Sequence, residues 1–421
     1  MKRLVEKAAF YLLLNITVIL CFASRSYAQF AYKNILQGED EVRIPFEYVE
    51  GFILMEVELN NAIPLKFIFD TGAENTVLLE KLYADILKLE YEEEIKVIGA
   101  DNSTLNTAYI SRRVPFSFEK GGSFLTDILV LEEQKIDFVD IIGRRIDGII
   151  GGNVLIGAVV EIDYKKQELI FHDSDSFKPT RKLHKEKINI IDQRPFVQSK
   201  VKISDTSDLE VRLLMDTGAG LHLLLEEGSH PEIVMPDSVI DGRIGEGLGG
   251  YMGGFLGNVE RFSVLDENLQ NIPIYFHRKD TLEITNFRKV KRNGLIGNLY
   301  WQNHKVIIDY SKQYLYSRAN RKKPRKFRFN KSGLVILASG EEFEEFRIKH
   351  VNKGSPADLA NLQAGDRLIS MNRIPTQLLN LTLINRKLSG KENAKVRVKV
   401  LRNGKKIVAE FQLKTKKIRT E

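Results

Sequence analysis

At 421 residues the chain is long enough for two or three domains, each able to bury a core of its own. Its 63 basic and 56 acidic side chains leave a net +7, without zinc-finger spacing or a ladder of stacking aromatics, so nucleic acid is not an expected partner. The single cysteine, Cys21, lies in an apolar leader, and the seven histidines show no metal-ligand spacing; disulfides, thiol catalysis, a metal site and a cofactor are therefore not expected.

The chain opens on Lys2, Arg3 and Lys7, a basic patch ahead of an apolar run from Ala8 to Ala23. Ser26-Tyr27-Ala28 then supplies small residues for a signal peptidase. Residues 1–28 are read as a signal peptide, because the run is shorter than the ~20 residues of a spanning helix. Val18-Ile19-Leu20 ahead of Cys21 does not suit a lipid-attachment site. No later segment approaches transmembrane length, so no stable membrane span is expected after cleavage. Export without disulfides points to a bacterial protein that is periplasmic, held in the cell envelope, or secreted. Lys2, Arg3, Lys7 and Arg25 against Glu6 carry +3 of the net charge, which leaves about +4 on the mature chain.

Two stretches of similar design follow, 29–180 and 181–318. Alternations such as Ile53-Leu54-Met55-Glu56-Val57-Glu58-Leu59, with breakers every ten residues or so, predict an all-β barrel or sandwich in each. One short helix per copy is expected, at 153–157 and at 299–303, with strands resuming at 159–164 and 306–310. Phe67-Ile68-Phe69-Asp70-Thr71-Gly72-Ala73 returns as Leu213-Leu214-Met215-Asp216-Thr217-Gly218-Ala219, 146 positions later. The same offset relates Ile98-Gly99 to Ile244-Gly245 and Phe116-Ser117 to Phe262-Ser263. It also relates Gly148-Ile149-Ile150-Gly151 to Gly294-Leu295-Ile296-Gly297, and Ile162-Asp163-Tyr164 to Ile308-Asp309-Tyr310. A register kept over that span is a duplicated domain.

Each copy delivers one carboxylate on a Gly turn. Two carboxylates a hydrogen bond apart do not both ionise readily, so they share a proton and one pKa rises above its usual ~3.9. Such a pair holds a water: the ionised member takes its proton while the protonated member polarises a carbonyl. Asp70 and Asp216 are the catalytic candidates. Gly72 and Gly218 allow a sharp turn and close approach, and the Thr71 and Thr217 hydroxyls are suited to bond across the interface. Asp163 and Asp309 also repeat, but in a strand, and are read as structural. No Ser occupies a nucleophile-elbow context.

Apolar-x-apolar-Asp-Thr-Gly-Ala, with apolar-apolar-Gly about eighty residues on, resembles the aspartic peptidases, and within them a retropepsin-like lobe duplicated in one chain. The resemblance covers roughly 41–318. It implies that Ile149-Ile150-Gly151 and Leu295-Ile296-Gly297 pack beneath the Asp loops, and that a flap hairpin closes over substrate. Gly245-Glu246-Gly247-Leu248-Gly249-Gly250 matches a dinucleotide fingerprint in letters only, since no strand–helix–strand unit surrounds it. By register Gly245 aligns with Gly99, which assigns Gly99, Gly245, Tyr251, Met252 and Phe255 to the flaps and to substrate contact. The two flaps are expected to differ, because 99–107 lacks the extra glycines. Pepsin-like enzymes usually carry Ser or Thr where Ala73 and Ala219 stand. A hydroxyl there would favour the ionised carboxylate, so the optimum is expected nearer mildly acidic or neutral pH.

Basic character concentrates in 319–331, read as a solvated linker. Beyond it, 332–416 shows a new pattern of short strands, an amphipathic helix at 378–388 and a hairpin signal at Arg402-Asn403-Gly404. Ser332-Gly333-Leu334-Val335-Ile336, Gly354-Ser355-Pro356-Ala357 and Leu362-Gln363-Ala364-Gly365-Asp366 resemble a PDZ domain of the bacterial, protease-associated kind. Asn361 departs from the Gly common there. That resemblance implies that Gly333, Leu334, Val335 and Ile336 contact the C-terminus of a peptide that adds as an extra strand. The reading is mainly β: two pseudo-symmetric pepsin- or retropepsin-like barrel lobes, then an α+β PDZ domain. The expected function is an exported aspartic endopeptidase acting on peptide or protein substrates. The alternative is a non-catalytic peptide-binding adaptor on a degenerate protease scaffold.

Overall fold

The computed structural model describes residues 34–98, 105–133, 138, 142–203, 208–247, 250–277, 290–320, 327–340, 343–415 and 418–419. The expected leader, Gly99 and residues 321–326 of the basic linker lie outside the described residues.

In the first copy the strands are Glu41–Pro45 (β1), Glu47–Val49 (β2), Phe52–Leu59 (β3), Ile63–Phe69 (β4), Thr76–Leu78 (β5), Glu93–Ile98 (β6), Leu105–Phe118 (β7), Phe124–Leu131 (β8), Gly148–Ile150 (β9), Val159–Asp163 (β10) and Glu168–His172 (β11). The order β3-β4-β9-β5-β8-β7, with β7 returning to β3, closes a barrel. Strand β3 illustrates the pattern behind it: Met55, Val57 and Leu59 are buried while Glu56 and Glu58 face water.

The second copy repeats the set as His184–Lys187 (β12), Asn189–Ile191 (β13), Arg194–Lys202 (β14), Leu209–Asp216 (β15), Leu223–Glu226 (β16), Ser238–Gly247 (β17), Gly250–Val264 (β18), Glu267–His277 (β19), Gly294–Gly297 (β20), His304–Asp309 (β21) and Tyr314–Ala319 (β22). Its barrel closes as β14-β15-β20-β16-β19-β18, with β18 against β14.

A further sheet, β1-β11-β10-β21-β22-β12, joins the lobes. In its middle Val160 faces Ile308 and Ile162 faces Val306, antiparallel. Moving one partner of the first pair forward by the repeat offset, and the other back, generates the second pair. Copies related by a twofold axis must pair this way, so the axis passes between β10 and β21. Asp163 and Asp309 have ordinary turn roles there. Asp163 Oδ1 accepts the Lys165 and Lys166 N–H groups, and Asp309 Oδ1 accepts that of Lys312.

The helices differ from expectation. A 3₁₀ turn at Gly152–Val154 and a short helix at Asn298–Trp301 follow the Gly elements, but Lys81–Ile86 is helical too. We label Lys81–Ile86 α1 and Asn298–Trp301 α2. Helix α1 buries only Ala84 and has no side-chain cap, so it carries no apolar period to read.

The third domain contains Leu334–Ser339 (β23), Glu345–Val351 (β24), Pro356–Leu359 (α3), Arg367–Met371 (β25), Ile374–Pro375 (β26), Leu381–Leu388 (α4), Lys395–Arg402 (β27) and Lys405–Gln412 (β28). Ser355 caps α3 by accepting the Asp358 N–H, and Pro356 opens it. Asn403 and Gly404 both take positive φ, the two-residue turn that matches strand twist. Asn361 takes φ 60°, the left-handed conformation that Asn tolerates best after Gly. Buried Asp366 receives a two-pronged pair from Arg402, at 2.6 and 2.7 Å. After this domain Ile418–Arg419 (β29) pairs with β17 of the second lobe. Among the described residues no helix is long and apolar enough to cross a membrane.

Trp301, the chain's one tryptophan, is fully buried on α2 and donates its indole N–H to Ile296 O at 3.1 Å. Trp301→Ala removes that bond together with a large core volume. We expect a loss of about 3–5 kcal/mol in urea unfolding followed by circular dichroism.

Candidate active site

Each Asp stands at the end of a buried strand, β4 or β15, that pairs in parallel with a Gly-flanked apolar strand, β9 or β20. Phe67 lies opposite Gly148 and Phe69 opposite Ile150, while Leu213 meets Gly294 and Met215 meets Ile296. The loops hang from these strands. Asp70 N–H donates to Ile150 O at 3.0 Å, Gly152 N–H to Ala73 O at 2.9 Å, and Asn298 N–H to Ala219 O at 2.8 Å.

At the axis the two Thr residues, both fully buried, bond reciprocally. Thr71 N–H donates to Thr217 Oγ1 at 3.0 Å, and Thr217 N–H to Thr71 Oγ1 at 3.1 Å. The hydroxyls donate onward across the interface, Thr71 to Met215 O at 2.7 Å and Thr217 to Phe69 O at 2.9 Å. Asp70 and Asp216 are thereby brought together, half-buried. The glycines serve closeness of approach, and neither has a positive φ. A Cβ on Gly72 would stand 2.6 Å from Asp216 Cγ, and one on Gly218 only 2.2 Å from Asp70 Cγ. Any side chain there would wedge the carboxylates apart. Asp70 Oδ1 accepts the N–H groups of both Gly72, at 2.7 Å, and Gly218, at 3.2 Å.

The pair is electrostatically unequal. Burial raises the Asp70 carboxyl well above the usual range, and the Asp216 charge raises it further. Burial raises Asp216 too, but the Arg292 guanidinium favours its ionised form. The Arg292 charge thus biases the shared proton toward Asp70. Arg292 itself is held by Glu226, Nε to Oε1 at 2.8 Å, with both side chains largely buried. Nothing in its local sequence singles Arg292 out. A signal lay in the repeat: the aligned position holds Ile146, so the charge belongs to one lobe alone.

The other expected contacts are placed less fully. Lobe 2 has a long hairpin, β17–β18, in which Gly245 pairs with Met252, Glu246 with Tyr251 and Gly247 with Gly250 at the tip. Only the backbone of Gly245, Tyr251 and Met252 is described. Phe255 pairs with Asp241 and is half-buried against the core. Lobe 1 has the corresponding β6–β7 hairpin, with Gly99 outside the described residues. In the third domain Gly333 has φ 79° and packs against Ser355, and Leu334 and Ile336 point into the core. The Leu334 N–H is already taken by Ser332 Oγ at 3.0 Å. Among the described residues no cluster of His, Cys, Asp or Glu suits a metal ion.

Residues 347–402 match the family model of the PDZ domain. Among solved structures, the crystal structure of aspartic proteinase from Irpex lacteus is similar over 66% of this chain and 97% of that chain, at 11% identity and a TM-score of 0.41. No curated protein matches the sequence. The architecture is mainly β: two pseudo-symmetric closed β-barrel lobes followed by a PDZ domain.

One linker residue reaches the Asp216 side of the site. The Phe327 ring meets His222 edge-on, 4.5 Å between centroids, and the backbone carbonyl of His222 accepts the Gly297 N–H. Burial pushes the His222 imidazole down to about 4. The folded protein thus holds His222 neutral where the unfolded chain, below the ordinary value of 6.5, would protonate it. That contribution to stability is complete above pH ~6.5 and is lost as pH falls toward ~4, at most about 1.4 kcal/mol per pH unit. His222→Phe should remove this part of the acid sensitivity. Urea midpoints at pH 7, 6 and 5 should fall less steeply in the variant than in the parent.

Proposed function

We propose that the chain is an exported aspartic endopeptidase that hydrolyses peptide bonds with a water activated between Asp70 and Asp216. Its PDZ domain would recognise a peptide or protein C-terminus. The observation that carries the reading is the reciprocal Thr71–Thr217 bonding, which holds two inequivalent carboxyls within hydrogen-bond reach of each other. Asp216 Oδ1 accepts no bond from the described residues and is free to take a proton.

In the proposed reaction Asp216 removes a proton from the water, whose oxygen bonds to the scissile carbonyl carbon. The carbonyl oxygen takes the proton of Asp70. The resulting diol collapses as the amide nitrogen takes the proton from Asp216, the C–N bond breaks, and a diol hydroxyl returns its proton to Asp70. The dyad ends as it began. The β17–β18 hairpin is the proposed lid, with its glycines giving a backbone that can flex over substrate.

Asp70→Asn and Asp216→Asn should each lower the cleavage rate of a denatured protein substrate at least ~100-fold, with pepstatin inhibiting the parent. Equal cleavage by parent and both variants would leave peptide binding as the only function. The activity profile should peak above about pH 3, because Ala73 and Ala219 offer no hydroxyl to hold either carboxylate ionised. In the double variant Arg292→Gln/Glu226→Gln, Asp216 loses the charge that favours its ionised form, so the acid limb should move to higher pH. An unmoved limb would remove Arg292 from the electrostatics of the dyad.

A further inference from the structure

Strand β23 is the edge of its sheet, bonded to β24 on one side, and helix α4 packs along it. An edge strand beside a helix is where an extended peptide adds as one more strand. Here the far end of that gap is filled by the first lobe. A Cβ on Gly143 would stand 3.3 Å from Ala338 Cβ on β23 and 3.7 Å from Leu381 Cδ2, the first residue of α4. Gly143 is buried at φ 67°, and its carbonyl is taken by Arg144 Nη1 at 3.0 Å. One turn along α4, Asn385 Nδ2 donates to Glu50 Oε2 of the first lobe at 2.8 Å.

We propose that segment 142–144 is a built-in occupant of the PDZ groove, so that capture of an extended peptide and docking of the domain on lobe 1 exclude each other. A peptide whose carboxylate sits near 333–336 runs along β23 toward Ala338, where Gly143 stands. Only its last few residues fit while the domain is docked. The occupant is firmly based, since Asp147 clamps the segment to β4: Lys66 N–H donates to Asp147 Oδ2, and Asp147 N–H to Lys66 O, both at 2.8 Å. The exchange also reaches the dyad. Glu50 O lies 3.0 Å from where a Cβ on Gly220 would be, two residues beyond Gly218, and Gly51 O accepts Asn298 Nδ2 at 2.8 Å. Undocking therefore removes a tie from a turn that braces the Asp216 loop. This inference rests on the reading of the third domain as a peptide binder and not on cleavage.

The test exploits a chain without cysteines beyond the leader. In a Cys21→Ser, Asp70→Asn background, Gly143→Cys with Ala338→Cys places two Cβ atoms near a disulfide's separation. The probe is a fluorescein-labelled octapeptide library, randomised over its last four positions and ending in a free carboxylate. The bridge should form in air. The oxidised protein should bind the library at least about tenfold more weakly than the same protein reduced, and Asn385→Ala in the cysteine-free background should bind about fivefold more tightly than its parent. Equal binding by the bridged and reduced proteins, or an Asn385→Ala variant that binds no more tightly than its parent, overturns the proposal. Binding in neither state overturns it at its premise, while leaving cleavage by the Asp70-intact chain untouched.

Discussion

The reciprocal bonding of Thr71 and Thr217 is the constraint on which the rest of the site depends. Each hydroxyl accepts the opposite backbone N–H and donates to the opposite strand, so four bonds cross the axis in a region closed to water. Hydrogen bonds so buried are costly to leave unmade, because no solvent replaces a lost partner. The two loops therefore have one mutual position in which all four donors are satisfied. In that position the glycines lie against the opposite carboxylates, nearer than any side chain would permit.

Symmetry of backbone does not bring symmetry of charge. A strictly twofold dyad would leave the shared proton with no preferred owner. Here Arg292 sits on the Asp216 side and Ile146 at the aligned place on the other, so the proton is biased to Asp70 without any change in the loops. A one-residue slip creates this difference. Arg145 reaches the aligned Glu80 from an exposed position, whereas Arg292 reaches Glu226 from a buried one. A charge of either kind matters more as its surroundings exclude water.

Much of this was legible in the sequence because it is local or repeated. The Asp-Thr-Gly pair, the shared offset and the strand rhythm all report on neighbours along the chain, and the β10–β21 register follows from the offset once a twofold is granted. Three things were not legible, each for a physical reason. Helix α1 has too few buried positions to show a period. Arg292 looks like any charged loop residue until its burial is known. Gly143, a lone glycine after an apolar stretch, owes its importance to Ala338 and Leu381, which lie in another domain far along the chain. The role of Gly72 and Gly218 was legible as close approach, and the carboxylate pressed against each one proves more decisive than the sharp turn expected beside it.

Covalent linkage of the two lobes is what permits their equivalent surfaces to diverge. In a symmetric pair of separate chains, every partner surface would occur twice. Here the turn at Glu50–Gly51 packs on the Asp216 side and bonds to α4, whereas its counterpart at Asp192–Gln193 packs on Gly152. On the other lobe the strand β17, which leads to the hairpin tip, receives β29 from the end of the chain. The third domain is thus fastened to the first lobe through its groove face and to the second through its tail. Both fastenings lie on elements that flank the dyad: one on a turn braced against a carboxylate loop, the other on the strand of the proposed lid. A domain joined only by a linker would have been free of both, so its attachment makes the lobes answerable to whatever occupies its groove.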